Sequence, residues 1–148
     1  MLAVGLIACG DESTPEEQVR ATIDGMAEAV EARSVQRSAD YLHDDYSDQW
    51  HPNRRAAVQS LFGYLRGHSD IHLFTLVRSI DVSEPGDSAA AIVFVATAGV
   101  PVESLDALVS IKADLYRFDI EVVPADEHWQ ITKARWTRAD ISDLTDID

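Results

Sequence analysis

Cysteine, basic residues and long apolar runs are all scarce in this sequence of 148 residues, and each scarcity excludes a class of protein. The single cysteine, Cys9, cannot form a disulfide within the chain, and a chain terminus seldom gives a thiol the base and the ordered surroundings that catalysis needs. No apolar run approaches the roughly 20 residues that a membrane-spanning helix needs. Lys and Arg number 12 against 26 Asp and Glu, and the resulting formal charge of −14 argues against binding to nucleic acids or anionic headgroups. A single acidic globular domain remains.

Motifs of the common catalytic and metal sites are also missing from the sequence. It contains no G-x-S-x-G nucleophile elbow and no glycine-rich phosphate loop. The histidines are scattered, and the one pair four residues apart straddles a predicted helix end and strand start. They are His43, His51, His68, His72 and His128. We therefore expect no metal site and no cofactor, and we interpret the histidines as surface or rim residues.

The apolar segment at the N-terminus ends in the residues LIAC (6–9), which resemble a bacterial lipobox. The resemblance implies a signal segment over 1–8, cleavage before Cys9, a diacylglycerol on its thiol, and a short tether over 9–14. The domain would then be lipid-anchored in the bacterial cell envelope and would face the periplasm or the exterior. The alternative is an apolar terminus whose cysteine packs on the domain.

The first half of the chain predicts three helices. Thr14 and Glu17 form a capping box ahead of a helical apolar stripe. Leu42 and Tyr46 continue the helical spacing of a second segment, and Asn53 is a suitable N-cap for a third. The predicted helices cover 15–32, 35–48 and 54–67.

From residue 71 the period of the apolar residues changes to two, which predicts antiparallel strands. The sequences EPGD and PADEH predict turns between them. The predicted strands cover 71–82, 88–98, 106–123 and 129–139. Residues 141–148 follow the last basic residue, Arg138, and we interpret them as a solvated acidic tail.

This order predicts an α+β fold, with the three N-terminal helices packed on a curved antiparallel sheet of four to six strands. The segments YLHDDYSD, AAVQSLFGYLRGHSDIHLF and HWQITKARW, in this arrangement, resemble the NTF2-like superfamily over residues 15–140, and most closely its SnoaL-like and lipoprotein members. The resemblance implies a cone-shaped, cystatin-like fold with an apolar pocket between helices and sheet. Members include ketosteroid isomerases, dehydratases, ligand binders and dimerisation scaffolds, so the fold does not decide the function.

Aromatic side chains in the predicted strands, helices and breaks are our candidates for the lining of that pocket. The apolar candidates are Tyr46, Trp50, Phe62, Phe74, Tyr116 and Phe118. The candidates for polar contacts are His72, Arg78 and Asp114. Trp50 lies beside the break at Pro52, which favours a place at the mouth of the pocket.

An isomerase-like reaction needs a carboxylate base and acidic hydrogen-bond donors in the pocket. Asp45 or Asp48 is a candidate for the base, and Asp114 or Tyr116 for the donor. The tyrosine that the isomerases carry on their first helix has no counterpart in residues 15–32, which weakens this interpretation.

Our main expectation is therefore a membrane-anchored, extracytoplasmic and non-catalytic domain. It binds a small apolar molecule or an envelope protein in its cone, and it does not bind nucleic acid. The alternatives are an isomerase or dehydratase of the SnoaL-like kind, and a structural homodimer built on the exposed face of the sheet.

Overall fold

The computed structural model describes residues 13–110 and 113–145. The helices are Pro15–Glu31 (α1), Val35–Ala39 (α2), Arg54–Gly67 (α3), Leu105–Ser110 (α4) and Ile141–Thr145 (α5). The strands are Leu42–Asp48 (β1), His72–Val82 (β2), Ala89–Ala98 (β3), Asp114–Val123 (β4) and Gln130–Arg138 (β5). The predicted signal segment, Cys9 and most of the tether lie outside the described residues. Within the described part, no helix combines the length and apolarity that crossing a membrane requires.

The caps of the two long helices form as predicted. The Thr14 hydroxyl accepts a hydrogen bond from the Glu17 backbone at 3.1 Å, and the Glu17 carboxylate accepts one from the Thr14 backbone at 2.8 Å. The Asn53 side chain accepts from the Ala56 backbone at 2.9 Å. Each cap satisfies backbone groups that the first helical turn leaves unpaired, which fixes where α1 and α3 begin.

The sheet has five strands in the order β1-β5-β4-β3-β2, and it confirms the α+β class with one correction. The pairs of β2 to β5 are antiparallel, but β1 runs parallel to β5, with Asp48 opposite Ala134. The predicted second helix over 35–48 was wrong beyond Ala39. Leu42 and Tyr46 are four residues apart, a spacing that places two side chains on one face of a strand as well as of a helix. Pairing with β5 decides between the two.

The predicted strand over 106–123 is also shorter than expected. Residues Leu105–Ser110 form α4, whose first turn is capped by the Ser104 hydroxyl, an acceptor for the Ala107 backbone at 3.1 Å. The strand β4 begins only at Asp114. A serine before an acidic first turn is a helix-start signal, which the alternation of apolar residues further along concealed.

The two faces of the sheet carry separate apolar clusters, because successive side chains of a strand point to opposite sides. The helix-facing cluster joins Val19 and Ile23 of α1 to Val93 and Val122 of the sheet. The outer cluster packs strand residues under α4 and α5. It consists of Phe94, Ala96, Val102, Leu108, Leu115 and Leu144. Within the predicted tail, Leu144 is buried in this cluster and Ile141 packs against it, while Ser142 and Asp143 are exposed; 146–148 lie outside the described residues.

Candidate functional site

A hollow of about 550 Å³ lies on the helix-facing side of the sheet, between the C-terminal end of α3 and the ends of three strands. We call it the mouth. The residues that line it are Tyr64, His68, Asp70, Ile71, Thr97, Ala98, Gly99, Ala113, Asp114 and Arg138. The mouth thus combines an aromatic ring, a hydroxyl group and charges of both signs.

The register of the sheet places the polar residues of the mouth together. Thr97 lies opposite Asp114, and Tyr116 lies opposite Arg138. The Arg138 guanidinium donates to the Asp114 carboxylate at 2.7 Å and lies 5.7 Å from the centre of the Tyr116 ring. The two charged side chains are 67% and 55% exposed, so their ion pair contributes little to stability and is accessible to a ligand.

The opposite wall of the mouth is an aromatic pair at the C-terminal end of α3, formed by Tyr64 of the helix and His68, its C-cap residue. The rings of Tyr64 and His68 stack with their centres 4.2 Å apart and their planes at 24°. His68 Nδ1 lies 2.9 Å from the Tyr64 carbonyl oxygen. Because a carbonyl oxygen only accepts, Nδ1 is the donor, and Nε2 of the neutral ring is left as a hydrogen-bond acceptor.

A second polar group lies at the end of β1, centred on a carboxylate that is only 1% exposed. Asp48 accepts hydrogen bonds from the Tyr46 hydroxyl at 2.6 Å and from the backbones of Trp50 and His51 at 2.8 Å each. His51 Nδ1 lies 2.9 Å from both carboxylate oxygens. The loop after β1 therefore folds back around the side chain of Asp48, the last residue of the strand.

These contacts shift the pKa values of both Asp48 and Tyr46. Burial by itself would raise the pKa of the Asp48 carboxyl, but the hydrogen bonds from Tyr46, His51 and the two backbone amides outweigh it and hold that pKa below its usual value. Burial raises the pKa of the Tyr46 hydroxyl well above its usual range, and the Asp48 carboxylate raises it further. Asp48 is thus charged and Tyr46 neutral at neutral pH.

The ionised Asp48 carboxylate determines which ring nitrogen of His51 donates a hydrogen bond. Since Asp48 only accepts, Nδ1 of His51 is the donor, and Nε2 of the neutral ring can accept a proton. The His51 side chain is 20% exposed, and its ring stacks at 6.5 Å on Trp136, which stacks at 5.3 Å on Phe118. The Gln49 side chain holds the backbone of Trp136 by two hydrogen bonds. Its Nε2 donates to the Trp136 carbonyl oxygen at 2.6 Å, and its Oε1 accepts from the Trp136 backbone amide at 3.2 Å.

The predicted site residues divide into three groups in the structure. Tyr46, Asp48, Asp114, Tyr116 and Phe118 lie on the helix-facing side, and Asp114 lines the mouth. A second group is exposed and does not line the mouth: Trp50 at 71%, Phe62 at 51%, and the side chain of Asp45 at 89%.

The third group lies on the outer face of the sheet. His72 and Phe74 pair with Ala98 and Ala96, whose side chains face the outer cluster. Arg78 sits at a register shift in β2, where its guanidinium lies 5.2 Å from the Phe94 ring and donates to the Asp143 carbonyl at 2.5 Å. These three residues therefore do not share a site with the helix-facing group.

The sequence patterns did not indicate several side chains that the structure places in or beside the site. They are His51, Tyr64, His68, Thr97, Trp136 and Arg138. Tyr64 lies in the last turn of a helix that was predicted with its correct bounds, and His68 is the residue just after it, so their closeness could have been expected. The contact of Asp48 with His51 depends on a tight loop after a strand, which the predicted helix over 35–48 concealed. In the described ranges, no group of three or more His, Cys, Asp or Glu side chains is arranged to hold a metal ion.

No protein-family model matches the sequence, and no curated protein matches it either. Solved structures do match. A provisionally assigned scytalone dehydratase from Novosphingobium aromaticivorans is 10% identical with a TM-score of 0.68, over 84% of this chain and 84% of that one. A protein with a cystatin-like fold from Caulobacter vibrioides is 15% identical with a TM-score of 0.67, over 88% of this chain and 94% of that one.

A provisionally assigned dehydratase of the NTF2-like family from Streptomyces avermitilis is also similar. It is 15% identical to this chain with a TM-score of 0.62, over 86% of this chain and 99% of that one. At these identities the likeness shows the fold alone. The chain has the NTF2-like, cystatin-like fold that the sequence resemblance implied.

Proposed function

We propose that this chain, which has an NTF2-like fold, binds a small organic molecule at the mouth of its cone. The observation that carries the proposal is the hollow of about 550 Å³, which lies within the range of roughly 300–1,000 Å³ typical of small-molecule sites. Polar side chains form most of its lining and can fix the orientation of a ligand, and Ile71, Ala98 and Ala113 add a smaller apolar surface. A ligand that is apolar throughout would leave Thr97, Asp114 and Arg138 unused, so the ligand carries a polar group as well.

A variant that fills the mouth tests this proposal. Thr97 is half-buried in the lining, and Thr97→Trp places an indole in the hollow. The matched control is Thr137→Trp on the exposed face of β5. In a thermal-shift screen of small molecules, we expect compounds that stabilise the parent protein and the control but not Thr97→Trp. Compounds that stabilise all three equally, or an envelope protein captured equally by all three, would place binding elsewhere.

A second candidate function is acid–base catalysis, and the contact between Asp48 and His51 favours it. A histidine whose Nδ1 is held by a buried carboxylate presents Nε2 as a base, and the carboxylate stabilises the imidazolium that forms. In this candidate His51 removes a proton from a substrate, while Asp48 is a positioning residue that acts only through His51. The lowered pKa of Asp48 makes it a poor proton donor at neutral pH. This role suits an isomerase or a dehydratase.

An enolisation assay tests the catalytic candidate. Isomerisation of a 5-ene to a 4-ene 3-ketosteroid, followed by ultraviolet absorbance, should proceed above the buffer rate. His51→Gln should lose most of the rate, about 100-fold or more for a general base, while its circular dichroism spectrum stays that of the folded parent. Asp48→Asn should lower the rate and shift its pH profile. A rate equal to buffer, or one that His51→Gln retains, removes His51 as the base for this reaction class.

We also propose that Cys9 carries a lipid anchor in the bacterial cell envelope. The support is the LIAC segment (6–9) and the start of α1 at Pro15, which leaves a short tether. Intact mass of protein from host membranes, with Cys9→Ser as control, tests it. We expect a chain that begins at Cys9 and carries acyl groups, and an unacylated Cys9→Ser chain. An unmodified parent chain in the soluble fraction would contradict the anchor.

A further inference from the structure

We infer that the ligand of the mouth is a small organic cation, such as an aromatic amine. This inference rests on the proposed binding site and names the class of ligand that the site takes. Three features of the molecule support it: the balance of charge in the lining, the groups that a ligand would meet there, and the field of the whole chain.

The charge of the mouth is negative. Its ionisable lining consists of two carboxylates, Asp70 and Asp114, one guanidinium, Arg138, and the imidazole of His68. Arg138 is already paired with Asp114 at 2.7 Å, which leaves the Asp70 carboxylate to compensate a positive ligand. An anionic ligand would instead have to compete with Asp114 for Arg138 while it approached Asp70.

The other groups of the lining also favour a cation that donates hydrogen bonds. Tyr64 is 42% exposed and its ring forms the aromatic wall, and a cation over such a ring is attracted by its quadrupole. The tautomer of His68 leaves Nε2 as an acceptor, and the Thr97 hydroxyl can accept as well. An ammonium group, which has only donors, matches these acceptors.

The field of the whole molecule acts in the same direction. A formal charge of −14 raises the local concentration of cations and lowers that of anions at an open hollow. The effect is screened over about 10 Å at 0.1 M salt, so cation binding at the mouth must weaken as salt is added.

Binding of three probes of one size tests the inference: benzylamine, benzyl alcohol and benzoate, measured by calorimetry at neutral pH. We expect benzylamine to bind about tenfold more tightly than benzyl alcohol, an energy in the range of cation–π and carboxylate contacts, and benzoate to bind most weakly. Affinity for benzylamine should fall several-fold as salt rises from about 20 mM to about 500 mM, because the added ions screen the attraction between the cation and the acidic protein.

Matched variants locate the effect. Asp70→Asn should weaken benzylamine several-fold, whereas Asp44→Asn, which removes the same charge from an exposed position on β1 outside the mouth, should not. Tyr64→Leu should also weaken it, whereas Phe62→Leu, on the same helix but outside the lining, should not. Equal or tighter binding of benzyl alcohol or benzoate that Thr97→Trp abolishes would overturn the cation inference and leave the proposed site standing. Failure of all three probes to bind would overturn both.

Discussion

Asp48 keeps its charge although its side chain is almost completely removed from water. The hydrogen bonds from Tyr46, His51 and two backbone amides replace the hydration that burial removes. This replacement explains why the last residue of β1 can anchor the loop that carries His51. The tautomer of His51, and with it any acid–base role, depends on this one carboxylate.

Tyr46→Phe tests the strength of that anchor. The substitution removes the hydroxyl donor of the 2.6 Å bond to Asp48 and changes little else. We expect a loss of about 1.5–3 kcal/mol in the free energy of unfolding, the range for hydrogen bonds to charged groups. Urea unfolding at neutral pH measures it. The control Tyr64→Phe removes a hydroxyl from an exposed ring and should change the free energy by less than about 0.5 kcal/mol.

The same pair predicts how stability depends on pH. The folded pKa of Asp48 lies below its unfolded value, so the contribution of Asp48 is present above about pH 4 and is lost as the pH falls through the folded pKa. The folded pKa of Tyr46 is raised, so its contribution is present below about pH 10 and is lost as the pH rises above that value. The destabilisation by Tyr46→Phe should therefore shrink on acidification. An unchanged difference down to about pH 2 would show that the carboxylate is not what the hydroxyl stabilises.

Among the elements, β1 shows what sequence patterns can and cannot decide. The starts of α1 and α3 were predictable because the N-caps at Thr14 and Asn53 are local signals. The strand β1 was not, because its Leu42 and Tyr46 suit both a helix and a strand, and the deciding contact is with β5, almost 90 residues later. Secondary structure that depends on a distant partner is not encoded within its own segment.

The elements α4 and α5 extend the fold beyond the helix-facing cluster. They cover one part of the outer sheet face, where Leu108 and Leu144 pack on Phe94 and Leu115. Arg78 holds α5 through the Asp143 carbonyl. The chain therefore packs on the domain as far as Leu144, although its C-terminal residues are acidic.

Leu144→Ala tests whether α5 is a stabilising element. Leu144 is 2% exposed, and its truncation leaves a cavity that a terminal helix can partly close. We expect a loss of about 2–3 kcal/mol in the free energy of unfolding, at the low end of the range for buried leucines. Chemical denaturation measures the loss, with Val100→Ala as control, since Val100 is 51% exposed. Equal stability of Leu144→Ala and the parent would mean that α5 is not packed in solution.

At the scale of the whole molecule, the uncovered part of the outer face bears on the predicted homodimer. A hollow of about 600 Å³ lies there, lined by Asp81, Asp119 and Glu121 on one side and by Lys133 and Arg135 on the other. A second copy could pair these charges, and such a dimer should weaken with salt. Sedimentation velocity at low and high ionic strength measures it, with Arg135→Glu as a disrupting variant. A monomer in all conditions would remove the dimer alternative.

The candidate site was less predictable than the fold. The NTF2-like arrangement follows from the order of elements, which survives errors in single elements. The mouth depends on which side chains face the helices, and a register shift such as the one at Arg78 reverses that assignment. Phe74 and Tyr116 are both aromatic residues of predicted strands, yet their side chains lie on opposite faces of the sheet.

The most direct test of the central claim, that the mouth binds a small molecule, is a titration of ¹⁵N-labelled protein with benzylamine, followed by amide chemical shifts. Binding at the mouth predicts saturable shifts confined to Tyr64, His68, Thr97, Asp114 and Arg138. Amides of the outer face, such as those of Asp81 and Lys133, should not move. Shifts centred on the outer face, or no shifts with millimolar benzylamine, benzyl alcohol or benzoate, would contradict binding at the mouth.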